Sequence, residues 1–127
     1  MVKRFNAEKA PAAIGPYCHA TIANGVLYSS GQIPLDPETN ELVIGGIEVA
    51  TDQVMKNLAA VLEEAGSSWD KVLKMNLFLT DMDDFPIVNE VYARYVGEYK
   101  PARSTVQVAK LPKGVSIEID CIALISE

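Results

Sequence analysis

Pro101-Ala102-Arg103-Ser104-Thr105-Val106-Gln107-Val108, the turn Leu111-Pro112-Lys113-Gly114, and Ser116-Ile117-Glu118-Ile119-Asp120-Cys121-Ile122 follow one another near the C-terminus. Both arms alternate with period two, and the short link between them predicts an antiparallel hairpin. In such a strand successive side chains point to opposite sides, so Arg103, Thr105 and Gln107 share one face while Ser104, Val106 and Val108 share the other. On the second arm Ile117, Ile119, Cys121 and Ala123 are core-like, which turns Glu118, Asp120, Ile122 and Leu124 the opposite way. A face mixing Arg, Glu, Gln, Ile and Leu is neither plain core nor plain solvated surface. It reads as a binding surface with Arg103 as its anchor. Pairing Lys110 with Val115 across the turn sets Gln107 opposite Glu118 and Arg103 opposite Ile122. Arg103 and Glu118 are then about four residues, roughly 13 Å, apart along the strands. That is too far to grip one small molecule within one chain, so the working pair is expected to come from two neighbouring copies.

Upstream of this hairpin, Val72 to Thr80 alternates without a fault, with Leu73, Met75, Leu77 and Leu79 on one side and Lys74, Asn76, Phe78 and Thr80 on the other. A helix is predicted on each side of it. Ala50, Val54, Leu58, Val61, Leu62 and Ala65 recur at three- and four-residue spacing from Ile47 to Ala65, with Gly66 as the stop. Phe85, Val88, Tyr92, Tyr95 and Val96 mark the apolar face of a second helix over Asp84 to Glu98, and Pro101 ends anything helical. At the N-terminus, Val2 to Phe5 reads as a short strand, and prolines and a glycine keep Ala7 to Pro16 irregular. Asn24-Gly25 between Tyr17–Ile22 and Val26–Ser30 signals a hairpin. Gly31-Gln32-Ile33-Pro34 is expected to leave the sheet.

The order β-β-β-α-β-α-β-β predicts one α+β domain over residues 1–127, with about six strands and two long helices on one face. Two helices cover one face only. The other, expected to hold Asn76, Phe78, Arg103, Thr105, Gln107, Glu118, Asp120, Ile122 and Leu124, would lie open in a monomer, so the chain is expected to pack sheet to sheet as a homo-oligomer.

At 127 residues, the chain can bury a core without staples. Cys18 and Cys121 form no CxxC pair, no signal peptide precedes them, and no apolar run nears the ~20 residues of a membrane span. A cytoplasmic protein with reduced thiols and no membrane association is the expectation. A net charge of -6 makes general affinity for nucleic acid unfavourable. One His, two distant Cys and the absence of HExxH, GxGxxG or GxxxxGK[ST] leave no metal or nucleotide motif, so no cofactor is expected.

Five ordered segments carry a family likeness: Ala10-Pro11-Ala12-Ala13-Ile14-Gly15-Pro16-Tyr17, Ser30-Gly31-Gln32-Ile33-Pro34, Asp84-Phe85 with Val88-Asn89-Glu90-Val91-Tyr92, Pro101-Ala102-Arg103-Ser104, and Leu111-Pro112-Lys113-Gly114 with Ile117-Glu118-Ile119. Together they resemble the reactive intermediate deaminases, the Rid or YjgF family, almost end to end, and the Arg103 and Glu118 pair resembles the RidA subgroup. The resemblance implies a chorismate-mutase-like fold and a homotrimer with pockets between subunits. It also implies hydrolysis of 2-aminoacrylate, 2-aminocrotonate and their imine tautomers to 2-keto acids and ammonia, which removes by-products of pyridoxal-phosphate-dependent dehydratases. By the same match the pocket residues are Tyr17, Ser30, Gly31, Asn89, Arg103, Thr105 and Glu118. Thr105 stands where many relatives carry cysteine, which removes thiol chemistry at that position.

The chemistry can be argued residue by residue. The guanidinium fork of Arg103 suits a planar carboxylate held by two parallel hydrogen bonds. Glu118 is the one carboxylate in the motifs suited to give a proton to nitrogen or to orient water, and burial would raise its pKa. An equal alternative is a structural Glu in a hydrogen-bond network. Tyr17 could close the pocket and donate its hydroxyl. Ser30 and Gly31 offer a hydroxyl and a backbone N–H, with Gly31 allowing close approach. Asn89, on a helix between apolar neighbours, reads rather as a capping or interface residue, and His19 as structural. Two rival readings remain: a non-catalytic sensor of small carboxylates such as 2-keto acids, and an endoribonuclease or translation inhibitor, against which the acidic charge weighs.

Overall fold

The computed structural model describes residues 1–125. Asn24 and Gly25 take φ of 53° and 76°, the left-handed pair that a two-residue hairpin turn requires. They join β2 (Ala20–Ala23) to β3 (Val26–Ser29), and β1 (Lys3–Phe5) adds to the outer side of β2. Helix α1 (Ile47–Glu64) buries the predicted stripe, with Val54, Met55, Leu58 and Val61 fully enclosed. Strand β4 (Val72–Leu79), helix α2 (Phe85–Val96), strand β5 (Ala102–Gln107) and strand β6 (Ile117–Leu124) complete the order read from the sequence. Both helices pack on one face of a six-stranded mixed sheet, where they meet Met75, Leu77, Leu79, Ile117, Ile119 and Cys121. Each fully enclosed Leu or Ile there contributes about 1.5–3 kcal/mol.

The C-terminal hairpin does not form. The strand order is β1-β2-β3-β6-β4-β5, so β4 lies between β5 and β6. Strand β5 pairs parallel with β4 after crossing over through α2, and β6 then returns antiparallel into the slot between β3 and β4. A strand-helix-strand unit buries the apolar face of α2 against the sheet, which a local hairpin at residues 108–116 cannot do.

This pairing changes which residues share a face. Arg103 lies opposite Met75, Thr105 opposite Leu77 and Gln107 opposite Leu79, so all three belong to the helix-covered face. Glu118 lies opposite Phe78, Asp120 opposite Asn76 and Ile122 opposite Lys74, on the uncovered face. The single mixed face expected from the sequence is thus two faces. Gln107 does not face Glu118, nor Arg103 Ile122.

Two smaller departures matter locally. A bulge between Val72 and Lys74 turns Val72 into the core and leaves Leu73 46% exposed, against the expected alternation. Gln32 does not leave the sheet: its backbone exchanges hydrogen bonds of 2.8 and 3.1 Å with Ile119, and its side chain is buried.

Candidate active site

The exchange between Gln32 and Ile119 brings Gly31 beside Glu118. From α1, the buried Asn57 donates to the carbonyls of Ile33 and Leu35 at 3.3 and 3.0 Å, which fixes the same segment from its other side. A Cβ on Gly31 would overlap Glu118 Oε2 and lie 2.7 Å from Cδ and 2.9 Å from Cγ. Only glycine leaves room for that carboxyl group. Burial, and secondarily the neighbouring Asp120, pushes the Glu118 pKa above the usual carboxylate range. Its neutral form therefore persists to higher pH than that of a free carboxyl group.

Glu118 opens into a cleft of about 330 Å³ shared with Ile14, Tyr17, Ser30, Gly31, Ile33 and Pro112. Tyr17 sits on a self-closed turn: its N–H donates to the Gly15 carbonyl at 2.9 Å, and its hydroxyl accepts from Ile14 N–H at 3.4 Å. The Ser30 hydroxyl donates to the Cys18 carbonyl at 2.7 Å, so its lone pairs remain to accept. His19 is buried and has both ring nitrogens engaged. Nδ1 accepts from Ala7 N–H at 2.9 Å, so the N–H is on Nε2 and donates to the Pro11 carbonyl at 2.6 Å. Its work is to hold the loop that carries Tyr17.

Arg103 occupies a different place. Its guanidinium carbon lies 5.2 Å from the ring centre of Phe85 and 4.9 Å from that of Tyr92, and Nη1 donates to Asn89 Oδ1 at 2.7 Å. Two aromatic rings and one amide therefore hold the fork in place. Among the described residues no carboxylate pairs with it. A second cleft of about 350 Å³ opens here, lined by Asn89, Tyr92, Ala93, Val96, Gly97, Lys100, Pro101 and Arg103. Asn89 thus orients Arg103 rather than capping its helix. Thr105 lies two residues along β5 on the same face, with a buried hydroxyl that has no partner among the described residues.

Arg103 and Glu118 are three residues apart along β4, one strand to either side of it, and on opposite faces of the sheet. That is about 10 Å along the strands and about 10 Å across them. The predicted site residues accordingly form two groups: Tyr17, Ser30, Gly31 and Glu118 in one cleft, Asn89, Arg103 and Thr105 at or beside the other. The aromatic cradle was missed by sequence reasoning, though Phe85, Asn89 and Tyr92 recur at i, i+4 and i+7, an amide inside an apolar stripe. Among the described residues no cluster of His, Cys, Asp and Glu could hold a metal ion, and no helix is long and apolar enough to cross a membrane.

Residues 7–125 match the sequence profile of the family described as Endoribonuclease L-PSP, the Rid or YjgF family of the sequence resemblance. The chain belongs to this family. Within the Rid family it is 44% identical to mouse 2-iminobutanoate/2-iminopropanoate deaminase over 122 residues, 96% of this chain and 90% of that protein. It is 47% identical to the chloroplastic Reactive Intermediate Deaminase A of Arabidopsis thaliana over 116 residues, 91% of this chain and 62% of that protein. The crystal structure of YEO7 from yeast, 44% identical, superposes with a TM-score of 0.96 over 99% of this chain and 100% of its own.

Proposed function

We propose that this chain hydrolyses small 2-imino and 2-enamino acids, such as those derived from 2-aminoacrylate and 2-aminocrotonate, to 2-keto acids and ammonia. The observation that carries the reading is the Arg103 guanidinium, held over the rings of Phe85 and Tyr92, steered by Asn89 and without a carboxylate partner among the described residues. A preorganised fork of this kind fits a planar carboxylate. The names borne by the mouse and Arabidopsis relatives support the same chemistry.

Arg103 and Glu118 cannot meet in one chain, so the site is assembled between copies, in a homotrimer as the family resemblance implies. The Arg103 cleft of one protomer closes on the Glu118 cleft of the next. The substrate carboxylate pairs with Arg103. Water, held by Tyr17 and Ser30, bonds through its oxygen to C2 of the imine, and the C=N π electrons move to nitrogen. Neutral Glu118 gives its proton to that nitrogen and takes one from the added water, which leaves a neutral carbinolamine; it then passes that second proton to the amine nitrogen, the C–N bond breaks and ammonia leaves. The hydroxyl proton returns to Glu118 as the ketone forms. For an enamine, protonation at C3 precedes these steps.

The test couples a dehydratase, which generates the short-lived imine, to keto-acid release. Arg103→Ala and Glu118→Gln proteins should each lose activity while keeping the assembly of the wild type. Unfolding both and refolding them together should restore it, because some clefts then combine an intact Arg103 with an intact Glu118. Full turnover by Arg103→Ala, or by an isolated folded monomer, rules the reading out.

A further inference from the structure

The Arg103 cleft carries a second cation. Of the residues lining it, Lys100 and Arg103 are charged and none is acidic, in a chain whose net charge is -6. Glu90, next to Asn89 on α2, lies 3.5 Å from Arg94, and Glu98, two residues before Lys100, is not part of the lining. Among the described residues no carboxylate pairs with Lys100.

The backbone at Lys100 is a separate observation. Helix α2 stops at Gly97, and between it and β5 the chain takes a φ of 42° at Lys100. A Cβ disfavours that left-handed setting, and the residue before a proline is ordinarily drawn to extended backbone at negative φ. Glycine or asparagine would sit there more easily. Lysine is thus held against its backbone preference at the wall of a charged cleft, and settings of this kind concentrate where a side chain acts on a ligand.

We propose that Lys100 is a further substrate-binding residue, a cation at the mouth that draws small carboxylates into the Arg103 cleft of a protein whose net charge otherwise repels them. The inference rests on the proposed hydrolysis for its ligand class and adds to it how that ligand is captured. Arg103, fixed by Phe85, Tyr92 and Asn89, sets direction. Lys100, a compact charge on a flexible stem, supplies attraction without demanding one geometry. Apolar walls from Tyr92, Val96 and Pro101 focus the field of the two like charges. Its reach is about one Debye length, ~8 Å at physiological salt and ~30 Å at ~0.01 M. Capture of this kind acts on KM and Kd and leaves kcat alone.

Two measurements on the intact assembly test this: kinetics with an imine generated in place, and calorimetry of 2-oxobutanoate binding, each at about 10 mM and about 500 mM salt. In the wild type KM and Kd should rise with salt while kcat stays level. Lys100→Asn should raise both constants about fivefold at low salt and converge on the wild type at high salt. Lys100→Arg should restore them. Because asparagine suits the backbone, Lys100→Asn should melt at or above the wild type, which separates weak capture from a loosened fold. Lys56→Gln removes the same charge from α1, where Lys56 pairs with Asp52 at 3.1 Å, and should move neither constant. Wild-type constants indifferent to salt, a Lys100→Asn loss in kcat instead of KM, or an equal effect of Lys56→Gln overturns the inference even if hydrolysis stands. Keto-acid binding that depends on Lys100 and on salt, in a protein that hydrolyses no imine, would keep the capture role and remove the deaminase reading.

Discussion

A methyl group on Gly31 would meet the Glu118 carboxyl group head on, with Cδ at 2.7 Å. Gly31→Ala should leave the fold intact, because the collision is with the end of a side chain, and, under the proposed mechanism, should lower kcat about 100-fold by displacing the Glu118 carboxyl group by an ångström or so. Kinetics beside a thermal melt would check both halves of that statement. Glu118 also gives a pH prediction. Burial first and Asp120 second raise its folded pKa above the unfolded value. The associated stability is present below the unfolded value and lost as pH rises through the raised one. Glu118→Gln should therefore melt higher than the wild type at neutral pH, with the gap closing in acid. Asp120→Asn lets the Glu118 pKa fall and should move the alkaline limb of kcat to lower pH. A limb that stays in place in that variant would assign it to another group. At this scale the sequence was informative about residue types: Arg103, Glu118 and Gly31 all sit in clefts. It said nothing of the Gly31–Glu118 contact, because their approach depends on Gln32 bridging Ile119.

The loop before β2 is held from two directions. His19 grips Ala7 and Pro11, and the Glu64 carboxylate at the end of α1 accepts the N–H groups of Glu8 and Lys9 at 2.7 and 2.9 Å. His19→Ala strands a buried N–H and a carbonyl and should cost about 1–3 kcal/mol, read by urea unfolding. It should also raise KM, since Tyr17 and Ile14 ride on the same loop. Unchanged stability would mean water replaces both bonds. Elements of this size were legible wherever periodicity alone decides: α1, α2, β4 and the Asn24-Gly25 turn lie where the pattern put them, while the strand expected from Tyr17 begins only at Ala20, because His19 before it is taken up in holding the loop. Pairing was not. Alternation along β5 and β6 fixes which residues point together within a strand, but the neighbour of each strand was decided by α2, whose apolar face needed the sheet. The short 108–116 link is equally able to bridge over β4, and that one choice moved Arg103, Thr105 and Gln107 to the other face.

Across the whole molecule, the uncovered sheet face shows Tyr28, Val106 and Leu124 at 49, 45 and 43% exposure, beside the Asn76–Asp120 hydrogen bond of 2.8 Å. Apolar area of this kind around a paired polar group fits burial against another copy. Val106→Glu and Leu124→Glu should each alter the stability of a lone chain by no more than about 0.5 kcal/mol. Both should shift sedimentation to the monomer and abolish turnover together. Monomers that still turn over would refute the shared site. Placing the guanidinium and the carboxyl group on opposite sides of one sheet also has a genetic consequence. Under the proposed shared site, a copy damaged at both positions spoils two clefts in any ring it joins, so co-expressing it with normal copies should depress activity well below the normal fraction, a dominant phenotype from a defect in a single small enzyme.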